Sequence, residues 1–186
     1  MAVLLTLTVV SLRSSQAHAR DEERKTDVAI IAQNLENYYR VGSDPDTAAS
    51  PSQSFATLAS STMPSIKLAA AVAPPKYVLG NYPPTAYFVN ETEIKSALRD
   101  IDPTALRAPG VAESSPPSLI AATSASTTQS PNTSTYIYQP LKADGSLCTT
   151  GQTSTFTETI DKCRKFNLYY HLETVSGVQT ITSKNQ

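Results

Sequence analysis

Residues able to do chemistry are sparse in this chain, and their spacing fits no catalytic motif. Its two cysteines are Cys148 and Cys163, and its two histidines are His18 and His171. Neither histidine stands at ligand spacing from a cysteine, so no zinc donor set forms. The sequence holds no G-x-S-x-G elbow, H-E-x-x-H helix, C-x-x-C pair, phosphate loop or dinucleotide glycine pattern. We therefore expect no enzyme, no catalytic residues, no bound metal and no cofactor. His171 falls on a strand-like stretch and reads as a surface residue rather than a base. Asp100 and Asp102 offer two carboxylates to a calcium ion that needs about six to eight oxygens, and caps or turns are the simpler use for them. Asn90-Glu91-Thr92 and Asn132-Thr133-Ser134 match the N-glycosylation pattern, which recurs by chance in a Ser/Thr-rich chain.

The elements that must position these groups start with residues 1–40. An uncharged apolar run, MAVLLTLTVVSL, passes through a charged collar, RDEERKTD, into VAIIAQNLENYYR. Val28, Ile31, Ala32, Leu35 and Tyr38 or Tyr39 fall at i, i+3, i+4, i+7 and i+10/11, one apolar stripe on a helix. This region contains no Gly or Pro. The collar supports helix through Asp21–Lys25 at i,i+4 and through Asp21–Arg24 and Glu22–Lys25 at i,i+3. One rod of roughly 60 Å follows, at about 1.5 Å per residue, with the collar expected as a solvated face. Apolar all round at its start and one-sided at its end, such a helix suits lipid in one half and a folded head in the other. Met1–Leu12 is shorter than the roughly 20 apolar residues that a bilayer core needs, and it reads as a partial span. A rival reading makes the same run the core of a secretory signal, cut after Ala19 in Ala17-His18-Ala19. Against it, no Lys or Arg precedes the run.

Ala17-His18-Ala19-Arg20-Asp21, Arg24-Lys25, Asp27-Val28 and Leu35-Glu36-Asn37-Tyr38-Tyr39 together resemble the type IV pilin and pseudopilin family. Its members run an apolar helix into A-x-A-R-D-x-x-R-K-x-D-V and end it in L-E-x-Y-Y. A second, weaker block of resemblance starts at Tyr82-Pro83-Pro84-Thr85 and runs from Leu98 through Asp100-Ile101-Asp102-Pro103 to Pro109. Members carry a short basic leader and a G-F-T-L-x-E cleavage site, which do not occur in these residues; the expectation is either a chain starting downstream of its true beginning or a protein that is not processed as a pilin. The resemblance implies an α+β, pilin-like fold, with a long N-terminal helix packed on a small C-terminal antiparallel sheet. It also implies a structural subunit of a type IV pilus or a related type II secretion or competence filament. The implied partners are copies of itself or related pilins, the membrane through the N-terminal helix, and the pilus assembly machinery. The implied location is the cell envelope before assembly and an extracellular filament after it. The alternative from another class is a secreted monomeric binding or adhesive domain released after Ala19.

Composition fits one domain with an appendage, since 186 residues at 40% apolar allow a real core. A net charge of -1, with no basic patch interleaved with aromatics, gives no motif for binding nucleic acid. Thirteen Pro against six Gly points to extended loops. We divide the chain into a helix, 1–40, and a head, 41–186, with an insertion at 41–81 that includes possible short helices at Ser54–Ser60 and Pro64–Ala71. Ala108–Thr135 is expected to be structureless. A short helix is expected at Glu91–Leu98, with Asn90 as N-cap and Pro103 as a stop. The C-terminal sheet, 135–183, takes strands from Thr135–Leu141, Lys165–Thr174 and Val178–Ser183, with Ser176-Gly177 as a hairpin turn between the last two. Phe166, Leu168, Tyr170 and Leu172 share the face that should cover the helix. Lys165, Asn167, Tyr169, His171 and Glu173 take the other face. Val28, Ile31, Leu35 and Tyr38 are the expected packing residues of the helix. Two cysteines in a chain that reads as exported pair into one disulfide, against two free thiols in a reducing compartment.

Overall fold

The computed structural model describes residues 2–41, 80–98, 101–149 and 162–185, with the side chains of 12–40 in the first of these. The helices expected at Ser54–Ser60 and Pro64–Ala71, and Asp100, lie outside the described residues. Helix α1, Ala2–Val41, passes unbroken through the charged collar. Among the described residues no helix is long and apolar enough to cross a membrane. The chain re-enters beside the end of α1, where the Gly80 N–H donates to the Tyr39 carbonyl at 2.9 Å. Gly80 sits at φ +77°, a left-handed conformation that favours glycine.

Helix α2, Glu91–Ala97, starts where the Asn90 side chain accepts the Glu93 N–H at 2.9 Å. Pro103 does not stop it. The helix has already ended, and Pro103 instead opens a 3-10 turn, Pro103–Leu106, capped by Asp102 on the Thr104 N–H. Proline suits that first position because its missing N–H would have no partner there anyway. Ala105 and Leu106 of this turn are buried, and the turn packs against α1.

The sheet has four strands in sequence order: β1 Leu119–Ala121, β2 Tyr136–Lys142, β3 Cys163–His171 and β4 Val178–Thr182. It is mixed, not antiparallel. Part of the segment expected to be structureless supplies β1, which runs parallel to β2 with Leu119 opposite Tyr136. Residues 122–135 then carry the chain back to the starting end, the long return that a parallel pair requires. β2, β3 and β4 are antiparallel neighbours, with Pro140 opposite Phe166 and Tyr169 opposite Thr180. Pro140 is tolerated in this inner strand because its nitrogen faces away from β3, beyond the reach of β1, while its carbonyl accepts the Cys148 N–H.

The β3–β4 connection is the six-residue loop Leu172–Gly177, not the tight Ser176-Gly177 turn expected from the sequence. The N–H groups of Glu173 and Thr174 are bonded to Asp21 of α1, so the chain leaves the ladder after His171. The sheet face opposite α1 is partly covered. Tyr169 is buried there, and Gln139 has no exposed surface. Gln139 donates to the carbonyls of Ser124 and Ser126 and accepts from Asn167 and the Tyr169 hydroxyl, which ties the 122–135 return over this face.

The main core lies between α1, the 3-10 turn, α2 and the sheet. Val28, Ile31, Leu35 and Tyr38 of α1 are buried, with Leu106, Ile94, Leu98, Leu119, Phe166 and Leu168. Aromatic contacts run through it from Tyr39 to Tyr82 at 4.6 Å, Tyr82 to Phe166 at 4.9 Å and Phe88 to Tyr138 at 4.3 Å between ring centroids. The Tyr138 hydroxyl, which burial pushes well up, donates to the Pro83 carbonyl at 2.7 Å. Leu35→Ala should destabilise the fold by about 2 to 5 kcal/mol, because the void cannot fully collapse. Asn37→Ala, at an exposed position of the same helix, should stay within about 0.5 kcal/mol. Equal unfolding midpoints in denaturant for the two variants would contradict this packing.

Candidate functional site at the helix–head junction

Polar residues of α1 continue the apolar stripe toward its N-terminus. Asp21, Arg24, Val28, Ile31, Leu35 and Tyr38 alternate at spacings of three and four and are all buried. Asp21 and Arg24 are each 2% exposed, so the collar is not a uniformly solvated face. Its outer residues behave as expected: Lys25 pairs with Glu22 at 2.7 Å, both largely exposed. The inner pair, Asp21–Arg24 at 2.9 Å, faces the head.

Three polar clasps dock α1. At the first, Arg24 bonds Asp21 through one Nη, Glu173 through the other at 2.7 Å and the Thr133 carbonyl through Nε at 2.9 Å. Arg20 makes a bidentate pair with the same Glu173 at 2.8 and 2.6 Å. Asp21 also accepts the N–H groups of Glu173 and Thr174 and the Thr174 hydroxyl. Burial pushes the Asp21 carboxyl up, but its four donors outweigh that and hold it at about 2. Glu173 is also held at about 2, first by the Arg20 hydrogen bonds and then by Arg24.

At the second clasp the Tyr136 hydroxyl of β2 donates to Asp27 at 3.2 Å. At the third, Glu36 accepts from the Lys184 N–H, the Asn185 amide and the Tyr82 hydroxyl. Burial raises the Tyr82 hydroxyl to about 12, with the Glu36 charge adding to it. These clasps join α1 to the β3–β4 loop, to β2 and to the C-terminal segment.

Cys148 and Cys163 form a disulfide with Cα atoms 5.7 Å apart. It joins the residue that follows the β2 turn to the first residue of β3. The Tyr82–Thr85 segment lies across it, with the Tyr82 N–H on the Cys163 carbonyl and the Thr85 N–H on the Cys148 carbonyl. His171 is half-buried at the end of β3, and His18 is exposed on α1, far from it in sequence. Among the described residues no group of three His, Cys, Asp or Glu side chains stands ready to hold a metal. Asn90 and Asn132 use their side-chain oxygens in a helix cap and a local turn.

The inward Asp21 and Arg24, and the roles of Glu173 and Glu36, were not anticipated from the sequence. The signal for the first two was present: extending the 3-4 spacing backward from Val28 lands on both residues. No local pattern marks Glu173 or Glu36, because their partners come from opposite ends of the chain. What the arrangement can do is hold one helix at a fixed rotation and height on the head. No protein-family model, curated protein or solved structure matches this chain.

Asp21 and Glu173 are held below their ordinary values of 3.8 and 4.5. Their contribution is therefore present above those values and is lost as pH falls toward about 2. Glu173→Gln should flatten the acid limb of the stability curve. Arg24→Leu, which leaves the buried Asp21 without its cationic partner, should cost about 3 to 5 kcal/mol at neutral pH. An acid limb unchanged by Glu173→Gln would show that the clasp does not hold the helix.

Proposed function

We propose that this chain is a structural subunit of a type IV pilus or a related type II secretion or competence filament, acting by polymerisation through its N-terminal helix. One observation carries the reading: a single helix is docked on the head from Arg20 onward and is uncovered at residues 12–16, 18 and 19. Leu12 is 60% exposed, and residues 13–16, 18 and 19 are exposed beside it. These uncovered turns follow directly on the run MAVLLTLTVVSL, whose sequence is apolar and suits a cover of lipid or neighbouring helices. The resemblance of residues 17–39 to pilins names that cover: the membrane before assembly and copies of the chain or related pilins after it. The heads then tile the filament surface, and the disulfide suits an oxidising location. The subunit needs no reaction of its own.

Fractionation of the native host tests this reading. The full chain should sediment with membranes or sheared filaments, and a version lacking residues 1–19 should be a soluble monomer with the same thermal midpoint as the intact head. Recovery of the native protein only as soluble chains beginning at Arg20 would overturn the filament and favour a secreted binding or adhesive domain.

A further inference from the structure

Asp27 is an α1 carboxylate at the junction that has a single, neutral hydrogen-bond donor and no salt bridge among the described residues. It is 8% exposed and sits one residue before Val28, on the inner side of the helix. Its hydrogen bond, from the Tyr136 hydroxyl, is long at 3.2 Å. Arg24, one helical turn away, is committed elsewhere through all three of its nitrogens, to Asp21, Glu173 and the Thr133 carbonyl. The other charged groups around Asp27 are acids: Glu23 on α1 and Asp102, the cap of the 3-10 turn packed against α1. Asp21 and Glu36, on the same helix, have several donors each. A buried carboxylate with one neutral donor and two like charges nearby is favoured as the neutral acid.

We propose that Asp27 is a proton-sensitive latch between α1 and the head. When neutral it lies within the α1–β2–3-10 junction at little cost. When ionised it places an unpaired charge there, and α1 loosens from Tyr136 and from the Pro103–Leu106 turn. Burial first, then the charges of Glu23 and Asp102, raises its carboxyl from 3.8 to about 7, against the opposing pull of the Tyr136 hydrogen bond and Arg24. A carboxyl raised on folding favours the folded state while protonated. The advantage is full below 3.8 and is lost as pH rises through about 7. The Arg24 clasp works in the opposite direction, failing only toward pH 2. Docking of α1 is then firmest in mildly acidic surroundings and relaxes as they become alkaline. This inference stands on the packing of the head and does not require that the chain polymerise.

The test is a carbon-13 NMR titration of the Asp27 carboxyl in the full chain held in detergent micelles, combined with thermal midpoints at pH 5 and pH 8.5. Asp27 should titrate near pH 7, and Glu23→Gln, at an exposed position, should lower that midpoint by removing a like charge. Asp27→Asn keeps the acceptor for Tyr136 and cannot ionise. It should raise the thermal midpoint at pH 8.5 by about 4 °C or more and raise it clearly less at pH 5, where only part of the advantage has been lost. Titration of Asp27 in the ordinary carboxyl range near about 4 would overturn the latch. So would an Asp27→Asn effect of the same size at both pH values, since that would mark a purely steric role. If Asp27→Asn does not fold, the wild-type titration decides alone.

Discussion

The Arg24 guanidinium, 2% exposed on the inner side of α1, holds together three parts of the chain that are distant in sequence. Its nitrogens reach Asp21 on the same helix, Glu173 in the β3–β4 loop and the Thr133 carbonyl in the β1–β2 return. A buried cation is tolerated only when its donors are satisfied, so each of these segments is drawn to a fixed place around it. Asp21 extends the set by accepting the backbone of residues 173 and 174, which draws β3 away from its ladder after His171. The rotation of α1, the length of the β3–β4 loop and the course of residues 122–135 therefore answer to one constraint.

Apolar packing provides the complementary half of the junction. Beyond Arg24 the same inner side of α1 turns from ionic to apolar at Val28, Ile31, Leu35 and Tyr38, and it meets Leu106 and the Phe166/Leu168 face of β3. Non-directional burial supplies the driving force, while the directional clasps at Arg24, Asp27 and Glu36 choose one height and rotation. The filament subunit proposed above, which presents its helix to neighbours at a defined orientation, would need both. The disulfide and the Tyr82–Thr85 segment brace the opposite end of the head, so the sheet that receives α1 is tied at both margins.

Much of this architecture was legible in the sequence, for reasons that are local. The 3.6-residue stripe and the absence of Gly and Pro marked α1. Asn90 marked the start of α2, and alternation of β-forming residues marked β2, β3 and β4. The failures share a cause. Counting apolar residues alone hid Asp21 and Arg24, whose partners lie about 150 residues away at residues 173 and 174. β1 has three residues, too few for any period to show, so the parallel pairing could not be foreseen. Tyr169 was placed on an outer face because the cover over it is irregular loop, anchored through Gln139 rather than through a regular element. Ser176-Gly177 looked like a hairpin because the pull of Asp21 on residues 173 and 174 has no local signature.

Helix α1 is docked on the head from the Arg20–Arg24 clasp onward and is uncovered at residues 12–16, 18 and 19. Hydrogen exchange, resolved residue by residue along α1 in the monomeric chain, measures that boundary directly. Amides from Arg24 to Tyr38 should be protected to nearly the same free energy as those of β3, and amides of residues 12–19 should exchange far faster. Protection that begins only at Val28, or that is uniform from Leu12 to Tyr38, would contradict the account.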